Sequence, residues 1–563
     1  MSLRSIAGLV LLPILAAACT PGGPAAAGGD SFVRDTGGVL PPEQAAYDVR
    51  HYDLAMQVFP ERQEIEAVLT ATVEAVESLP VLLLDLDPLL EVSAVEVGGR
   101  PAAFVHERGR LRIELEPPAR AGDTVVAAVH YGGAPRVAPR PPWEGGFVWS
   151  RTEDGTPWIA TACQMEGADL WWPCKDHPSD KPDSFDLHFR VPDGLVVASN
   201  GRRTGIEDHG DGTHTSSWHV STPIANYCVA FNAGPYVELR REQPSVAGGS
   251  FPFVFWALPE HRAQADQAMD EFADHLAWFE RYFGPYPFRA DKYGVVETPH
   301  LGMEHQTIIA YGHGFQGHKY GYDWLHHHEL SHEWFANLVT CPDWSDFWIH
   351  EGFGSYTQKL YVEDLRGIEA YHSYLADVRG LIRNQKPVAP RGPRSSAWMY
   401  FADPGAAEGE KPTDNDIYYK GEWILHTLRW LIGRDLLVES MRRICYPDPA
   451  LEATTDGSAV HFATTDGYQA LVERLSGRDL DWFFELYLRR PELPVLRAEE
   501  REGVLRISWE TPDGLPFPMP VEVEVGGVRS RIEVPAGGAE VVLPAGATWR
   551  VDPDEWILKE RAG

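Results

Sequence analysis

The sequence predicts a multidomain α+β protein with an antiparallel β-rich amino-terminal domain, a mainly helical central domain and a small carboxy-terminal β-sandwich. Three observations predict it. Apolar residues recur at every second position over much of residues 47–250, at every third and fourth position over 251–490, and at every second position again over 491–563. A chain of 563 residues has room for these units. A composition of 44% hydrophobic and 23% charged residues is that of a globular protein and excludes global disorder.

The amino terminus reads as an address. Arg4 precedes an apolar run over residues 6–18, which ends at Cys19. Residues 1–18 have the pattern of a secretory signal, too short and too interrupted by Pro13 to span a bilayer. Leu15 and Ala16-Ala17-Ala18-Cys19 resemble a bacterial lipoprotein box. That predicts an exported protein held by a lipid on Cys19, facing the periplasm or cell exterior, with membrane contact through this anchor alone. Residues 19–46 begin Gly-, Ala- and Pro-rich and read as a flexible tether.

In the β domain, Tyr52, Leu54, Met56 and Val58 alternate with polar residues, as do Ile65, Ala67, Leu69, Ala71 and Val73. Gly98-Gly99, Gly132-Gly133 and Asp211-Gly212 mark turns. In the central domain the spacing predicts helices over 263–283, 324–338, 371–383, 421–432 and 468–475, a strand over 292–297 and a long surface loop over 386–416. After Arg490-Pro491-Glu492-Leu493-Pro494, strands return at Leu505, Ile507 and Trp509 and at Val521, Val523 and Val525.

Forty-nine Lys and Arg against 82 Asp and Glu leave a net charge of −33, which argues against nucleic acid and anionic lipid as partners. Six cysteines are too few for a disulfide scaffold. Besides Cys19 there are Cys163, Cys174, Cys228, Cys341 and Cys445, an odd set in which only Cys163 with Cys174 is a candidate bridge.

The chemistry concentrates in His328-Glu329-Leu330-Ser331-His332. On a helix, positions i and i+4 share a face, so two imidazoles can bind one Zn²⁺ at about 2.0–2.1 Å per nitrogen. Glu329 is placed as general base beside them. His326 and His327 precede the motif, but only His328 is followed by Glu with a second His four positions on. A metzincin would carry Gly and His where Phe335 and Leu338 stand, so the third ligand is expected to be a downstream carboxylate on a following helix. Glu351, in Trp348-Ile349-His350-Glu351-Gly352-Phe353, fits that requirement.

His328-Glu329-x-x-His332, eighteen residues, then Glu351 resembles the M1 (aminopeptidase N) family of zinc peptidases, gluzincins. The runs from His332 to Thr340 and from Glu351 to Tyr356 match the flanking signature of that family. The resemblance implies a thermolysin-like catalytic domain over 251–490, one Zn²⁺ per chain, and hydrolysis of the first bond of peptides with a free amino terminus. It implies roles for further residues. Leu301-Gly302-Met303-Glu304-His305 aligns with the family's Gly-x-Met-Glu-Asn, so Glu304 is expected to bind the substrate ammonium, with Gly302 and Met303 beside it. Leu301 and His305 depart from that motif. Thr161-Ala162-Cys163-Gln164 makes Gln164 a second amine contact. Tyr418-Tyr419-Lys420-Gly421 makes Tyr418, by register over Tyr419, the oxyanion donor. Asp343, Asp346 and Glu333 are possible acceptors for the ligand imidazoles. Many relatives add a helical carboxy-terminal domain; this chain ends after the sandwich, a short form expected to have a more open cleft.

Overall fold

The computed structural model describes residues 35–560. The expected secretory signal, Cys19 and most of the expected tether lie outside the described residues. No helix among the described residues is long and apolar enough to cross a membrane.

The amino-terminal region is built on an eight-stranded sheet whose middle strand, Tyr47–Phe59, pairs antiparallel with Glu64–Ala75. Alternation drives the pairing: Tyr52, Leu54, Met56 and Val58 turn inward, with Leu54 opposite Leu69. The expectation of an antiparallel β-rich domain needs one correction. Tyr47–Phe59 pairs in parallel with Ser184–Pro192, because the chain crosses over through more than a hundred residues before returning. A four-stranded sheet includes Pro157–Ala162, which leads directly into Cys163 and Gln164 and so delivers Gln164 to the domain junction.

The hairpin of Val237–Pro244 and Ser250–Ala257 joins Tyr293–Glu297, Ile309–Tyr311 and Gly302–Met303 in a five-stranded sheet. Most of residues 237–250, expected in the amino-terminal domain, therefore belongs to the sheet that carries Gly302 and Met303. The helix Arg262–Phe283 buries Ala265, Met269, Phe272, Leu276, Phe279 and Phe283, spaced by three and four. Each such fully buried Leu, Met or Phe contributes about 1.5–3 kcal/mol relative to exposure.

The helix expected over 324–338 is shorter. Trp324–Ser331 is regular, with the Asp323 carboxylate accepting from the His326 N–H at its start. Glu333–Leu338 then widens into a π-turn broken at Phe335, where φ is −105° and ψ is 67°. The helix Trp348–Arg366 had no periodic signal because every residue from Trp348 to Leu360 is buried, leaving no polar stripe to define a face. The loop expected over 386–416 contains a short helix, Ser396–Tyr400. The carboxy-terminal strands form two three-stranded sheets that bury Leu505, Ile507, Val521 and Val523.

Two further expectations are corrected. Residues 35–46, assigned to the tether, pack on the body: Asp35 accepts from Ser396 Oγ and Ala397 N, Pro42–Ala45 is helical, and Gln44 is buried. Cys163 and Cys174 are not bridged but are buried free thiols, as are the other three described cysteines. The Cys174 backbone is tied to Asp85 by a pair of main-chain hydrogen bonds, while the Cys163 thiol lies against the Trp171 indole. Each sulfur is thus positioned by a different element.

Candidate active site

Three donor atoms converge between the helices Trp324–Ser331 and Trp348–Arg366. His328 Nε2 and His332 Nε2 lie 3.3 Å apart. Glu351 Oε2 is 3.5 Å from the first and 3.4 Å from the second. A tetrahedral ion with bonds of about 2.0–2.1 Å has ligand atoms about 3.3–3.4 Å apart, so the triangle has the edge length zinc requires. Glu351 Oε2 is moreover buried without a hydrogen-bond partner. His332 is oriented by a backbone acceptor: its Nδ1 meets the Phe335 carbonyl at 3.0 Å, which turns Nε2 toward Glu351. The break at Phe335 is what aims that carbonyl. The carboxylates expected as acceptors are engaged elsewhere. Glu333 accepts from Thr307 N, Asp343 from Ser345 N and Arg394 N, and Asp346 from Thr465. His326 is packed in the core, stacked on Phe272 and bonded to His275 and Tyr293. His327 is likewise buried, away from the triad, against Phe279 and Tyr361.

Glycines bring the elements this close. A Cβ on Gly354 would stand 2.6 Å from Ser331 Oγ and 3.1 Å from His332 Cε1. A Cβ on Gly352 would stand 3.0 Å from the Gly421 Cα, where Trp348–Arg366 crosses the helix Asp416–Ile432. That crossing sets Tyr418 beside the triad, its ring 6.0 Å from that of His328. Tyr419 faces the other way, toward Lys359 and Glu422. Gln164 arrives from the β domain. Its amide donates to Glu304 Oε1 and, at 3.3 Å, to Glu351 Oε1. One side chain therefore links the carboxylate expected to bind an amine with the carboxylate of the triad.

Comparisons with known proteins identify the family. The profile described as "Peptidase M1 N-terminal domain" matches residues 49–228, and that described as "Peptidase family M1 domain" matches residues 267–446. The chain belongs to peptidase family M1. Within the family it is similar to endoplasmic reticulum aminopeptidase 1 of Mus musculus, 26% identical over 364 residues, which cover 58% of this chain and 36% of that protein. It is also similar to aminopeptidase N of Haemonchus contortus, 28% identical over 309 residues, covering 50% and 30%. The matched stretch spans about a third of the length of these curated relatives. An M1 zinc metallopeptidase from Deinococcus radiodurans shares the fold, with a TM-score of 0.63 at 24% identity over 83% of this chain and 98% of that one.

The electrostatics of this M1 site call for positive charge. Glu304, Glu329 and Glu351 are all buried within one cleft of about 380 Å³. Burial pushes Glu304 up to about 7. Burial and the neighbouring Glu304 push Glu329 well above the usual carboxylate range. Burial works against a charged His332, yet Glu351, Glu304 and Glu329 raise that imidazole to about 10. A divalent cation answers the same demand. Burial, then Glu351, holds the Tyr418 phenol far above its ordinary value, so it stays a neutral donor.

Gly302 lies against the general-base candidate. A Cβ there would stand 2.6 Å from both Glu329 Oε1 and Leu325 Cδ1. Gly302→Ala is expected to displace Glu329 and lower kcat by about 10²-fold, since misplacement by about 1 Å is enough for that. Zinc content measured on the same sample should not change; activity within twofold of the parent would contradict the close approach. Met303 follows in the short strand that pairs with Ile309–Tyr311 along the cleft. Of the two departures from the family motif, Leu301 lines the cleft, whereas His305 is fully buried with neither ring nitrogen partnered. Burial, aided by His300, pushes the His305 imidazole down to about 3, so it sits behind the wall as a neutral ring. Other cleft residues belong to no motif, Tyr400 and Lys359 among them. Tyr400 comes from the short helix inside the loop, and Lys359 from a helix with no polar stripe. A larger depression of about 700 Å³, around His130, His188 and Arg190, lies on the eight-stranded sheet and holds none of these groups.

Proposed function

We propose that this chain is a zinc-dependent aminopeptidase that hydrolyses the amino-terminal residue from peptides. The observation that carries the reading is the Gln164 bridge, which puts Glu304 one side chain away from the metal-ligand carboxylate Glu351. A carboxylate so placed binds a substrate ammonium by a charge-assisted hydrogen bond and sets the first peptide bond beside the triad. Gln164 adds a neutral acceptor for the same ammonium, while Gly302 and Met303 offer backbone groups along the bound chain.

His328, His332 and Glu351 would hold the zinc, which supplies Lewis acidity when bound, acidifying water and polarising a carbonyl. Glu329 removes the proton from the attacking water and passes it to the leaving amine. Its raised affinity for protons, a consequence of burial and of Glu304, suits it to carry one between the two steps. Tyr418 donates its hydroxyl to the carbonyl oxygen as that oxygen gains charge. We read the domains as 47–250, 251–490 and 491–563, adjusted by the hairpin noted above, with the last two sheets as a small sandwich. The pattern of residues 1–19 supports export and anchoring at Cys19.

Acetylating the amino group of a peptide substrate removes the cation that Glu304 binds. The expected result is a fall in kcat/KM of about 10²-fold or more, given about 1.5–3 kcal/mol for each hydrogen bond to a charged group. Equal rates on free and acetylated peptide would overturn the exopeptidase reading.

A further inference from the structure

The Glu304 carboxylate is held from one side by the Gln164 amide. Its main chain is held separately. The strand Gly302–Met303 ends just before it, and the Glu304 carbonyl accepts from a side chain, Asn337 Nδ2, at 3.0 Å. Asn337 is fully buried in the turn Glu333–Leu338, directly after the second zinc-ligand histidine.

All four polar groups of Asn337 are engaged. Its N–H donates to the His332 carbonyl at 2.8 Å, and its own carbonyl accepts from Lys181 Nζ at 2.7 Å. Its Nδ2 faces Glu304, and its Oδ1 accepts from the Cys228 thiol at 3.1 Å. The orientation of the amide follows from chemistry: a carbonyl only accepts, so the NH₂ side must face Glu304, and the thiol behind it secures the opposite side. One residue thus joins the main chain of a metal ligand to the main chain of the residue expected to bind the ammonium. The same turn supplies the Phe335 carbonyl that aims the His332 ring.

Glu333, four positions earlier, grips the same segment further along, its Oε1 accepting from Thr307 N at 2.8 Å. Thr307 has φ of 62°, a left-handed conformation that β-branched residues avoid. Such a conformation persists only where the surroundings over-determine it. Here Glu333 takes the Thr307 N–H, Lys292 donates to its carbonyl and the Gly201 N–H donates to its hydroxyl. The backbone after Glu304 is therefore fixed against its own preference, and the turn after His332 does part of the fixing. A tie that served stability alone could join any two buried elements. This one joins the two whose separation decides which peptide bond lies over the metal.

We infer that Asn337 is a positioning residue, which sets Glu304 at a fixed reach from the triad and so restricts hydrolysis to the first bond behind a free ammonium. The inference rests on the aminopeptidase reading and concerns the same site.

The test compares Asn337→Ala and Asn337→Asp with the parent, each as the full protein. The first removes the tie; the second keeps the shape but turns an acceptor toward the Glu304 carbonyl. Three quantities are read: zinc per chain, kcat/KM on an aminoacyl arylamide against its N-acetyl counterpart, and calorimetric binding of an amino-acid amide to the zinc-free protein. Both variants should keep one zinc. Both should lose about tenfold or more of the preference for the free amine, chiefly through KM, since a shift of about 1 Å suffices. Binding of the amino-acid amide should weaken by a similar factor, toward that of its des-amino analogue. Cys228→Ala and Cys228→Ser test the same amide from behind without touching the turn. The alanine variant should lower the preference about threefold and the serine variant, which keeps a donor, should restore it.

An unchanged preference in Asn337→Ala, loss of its zinc, or an equal fall on free and acetylated substrates would make Asn337 merely structural and overturn the assignment. Should the Asn337 variants not fold, equal preference in Cys228→Ala and Cys228→Ser overturns it instead. A parent that discriminates while its variants discriminate equally refutes the Asn337 role alone. A parent that hydrolyses no free-amine substrate refutes the aminopeptidase reading and this inference with it.

Discussion

Glu329→Gln is expected to lower kcat by about 10²–10⁴-fold, the usual contribution of a positioned general base, while one zinc per chain is retained. The substitution keeps the shape of the side chain and removes only its capacity to take a proton. Glu329 is not one of the donors His328, His332 and Glu351, but its carboxylate also lies within 4.8 Å of donor atoms of His332 and Glu304, so zinc content is what separates a base from a ligand here. Its carboxyl lies against Gly302 in a pocket that burial and Glu304 have made proton-seeking. Kinetics and zinc content measured on the same preparation check the prediction. Wild-type turnover in the variant would exclude Glu329 as base; loss of zinc would make it a ligand.

Tyr418→Phe is expected to lower kcat by about 10²–10³-fold, the effect of deleting one oxyanion donor, with KM little changed. Tyr418 rather than Tyr419 should carry the effect. The Tyr418 ring stands over His328 and its hydroxyl lies by Glu351, whereas Tyr419 faces the Lys359–Glu422 pair. Tyr419→Phe is the control and should leave arylamide turnover within a few fold. A reversed pattern would move the donor by one residue.

How much of this was legible in the sequence depends on the range of the interaction. His328, Glu329 and His332 are readable because helical periodicity is local, and four residues suffice to place two imidazoles on one face. Glu351 is readable from the coordination chemistry that demands a third ligand, although its own helix left no amphipathic trace, being buried on all sides from Trp348 to Leu360. Glu304, Gln164 and Tyr418 come from three separate regions, and only resemblance to the family pointed to them. Periodicity carries no information about which loops meet.

What was missed has physical causes too. The acceptor for His332 is the backbone carbonyl of Phe335, and a carbonyl has no signature in side-chain identity. Carboxylates were expected there because they are visible as letters. The parallel pairing of Tyr47–Phe59 with Ser184–Pro192 is a long-range choice that alternation cannot encode. Lys359 reads in sequence like any helical lysine. Its place is set by burial and by its ion pair with Glu422, neither of which has a local signature.

Catalysis by a metal held on His328, His332 and Glu351 is tested most directly by following hydrolysis of free-amine aminoacyl arylamides by the protein as purified, after chelation, and after stoichiometric zinc is returned. Release that disappears on chelation and returns at one zinc per chain is the predicted result. Release that persists without metal, or no release from any free-amine substrate with one zinc bound, would contradict it.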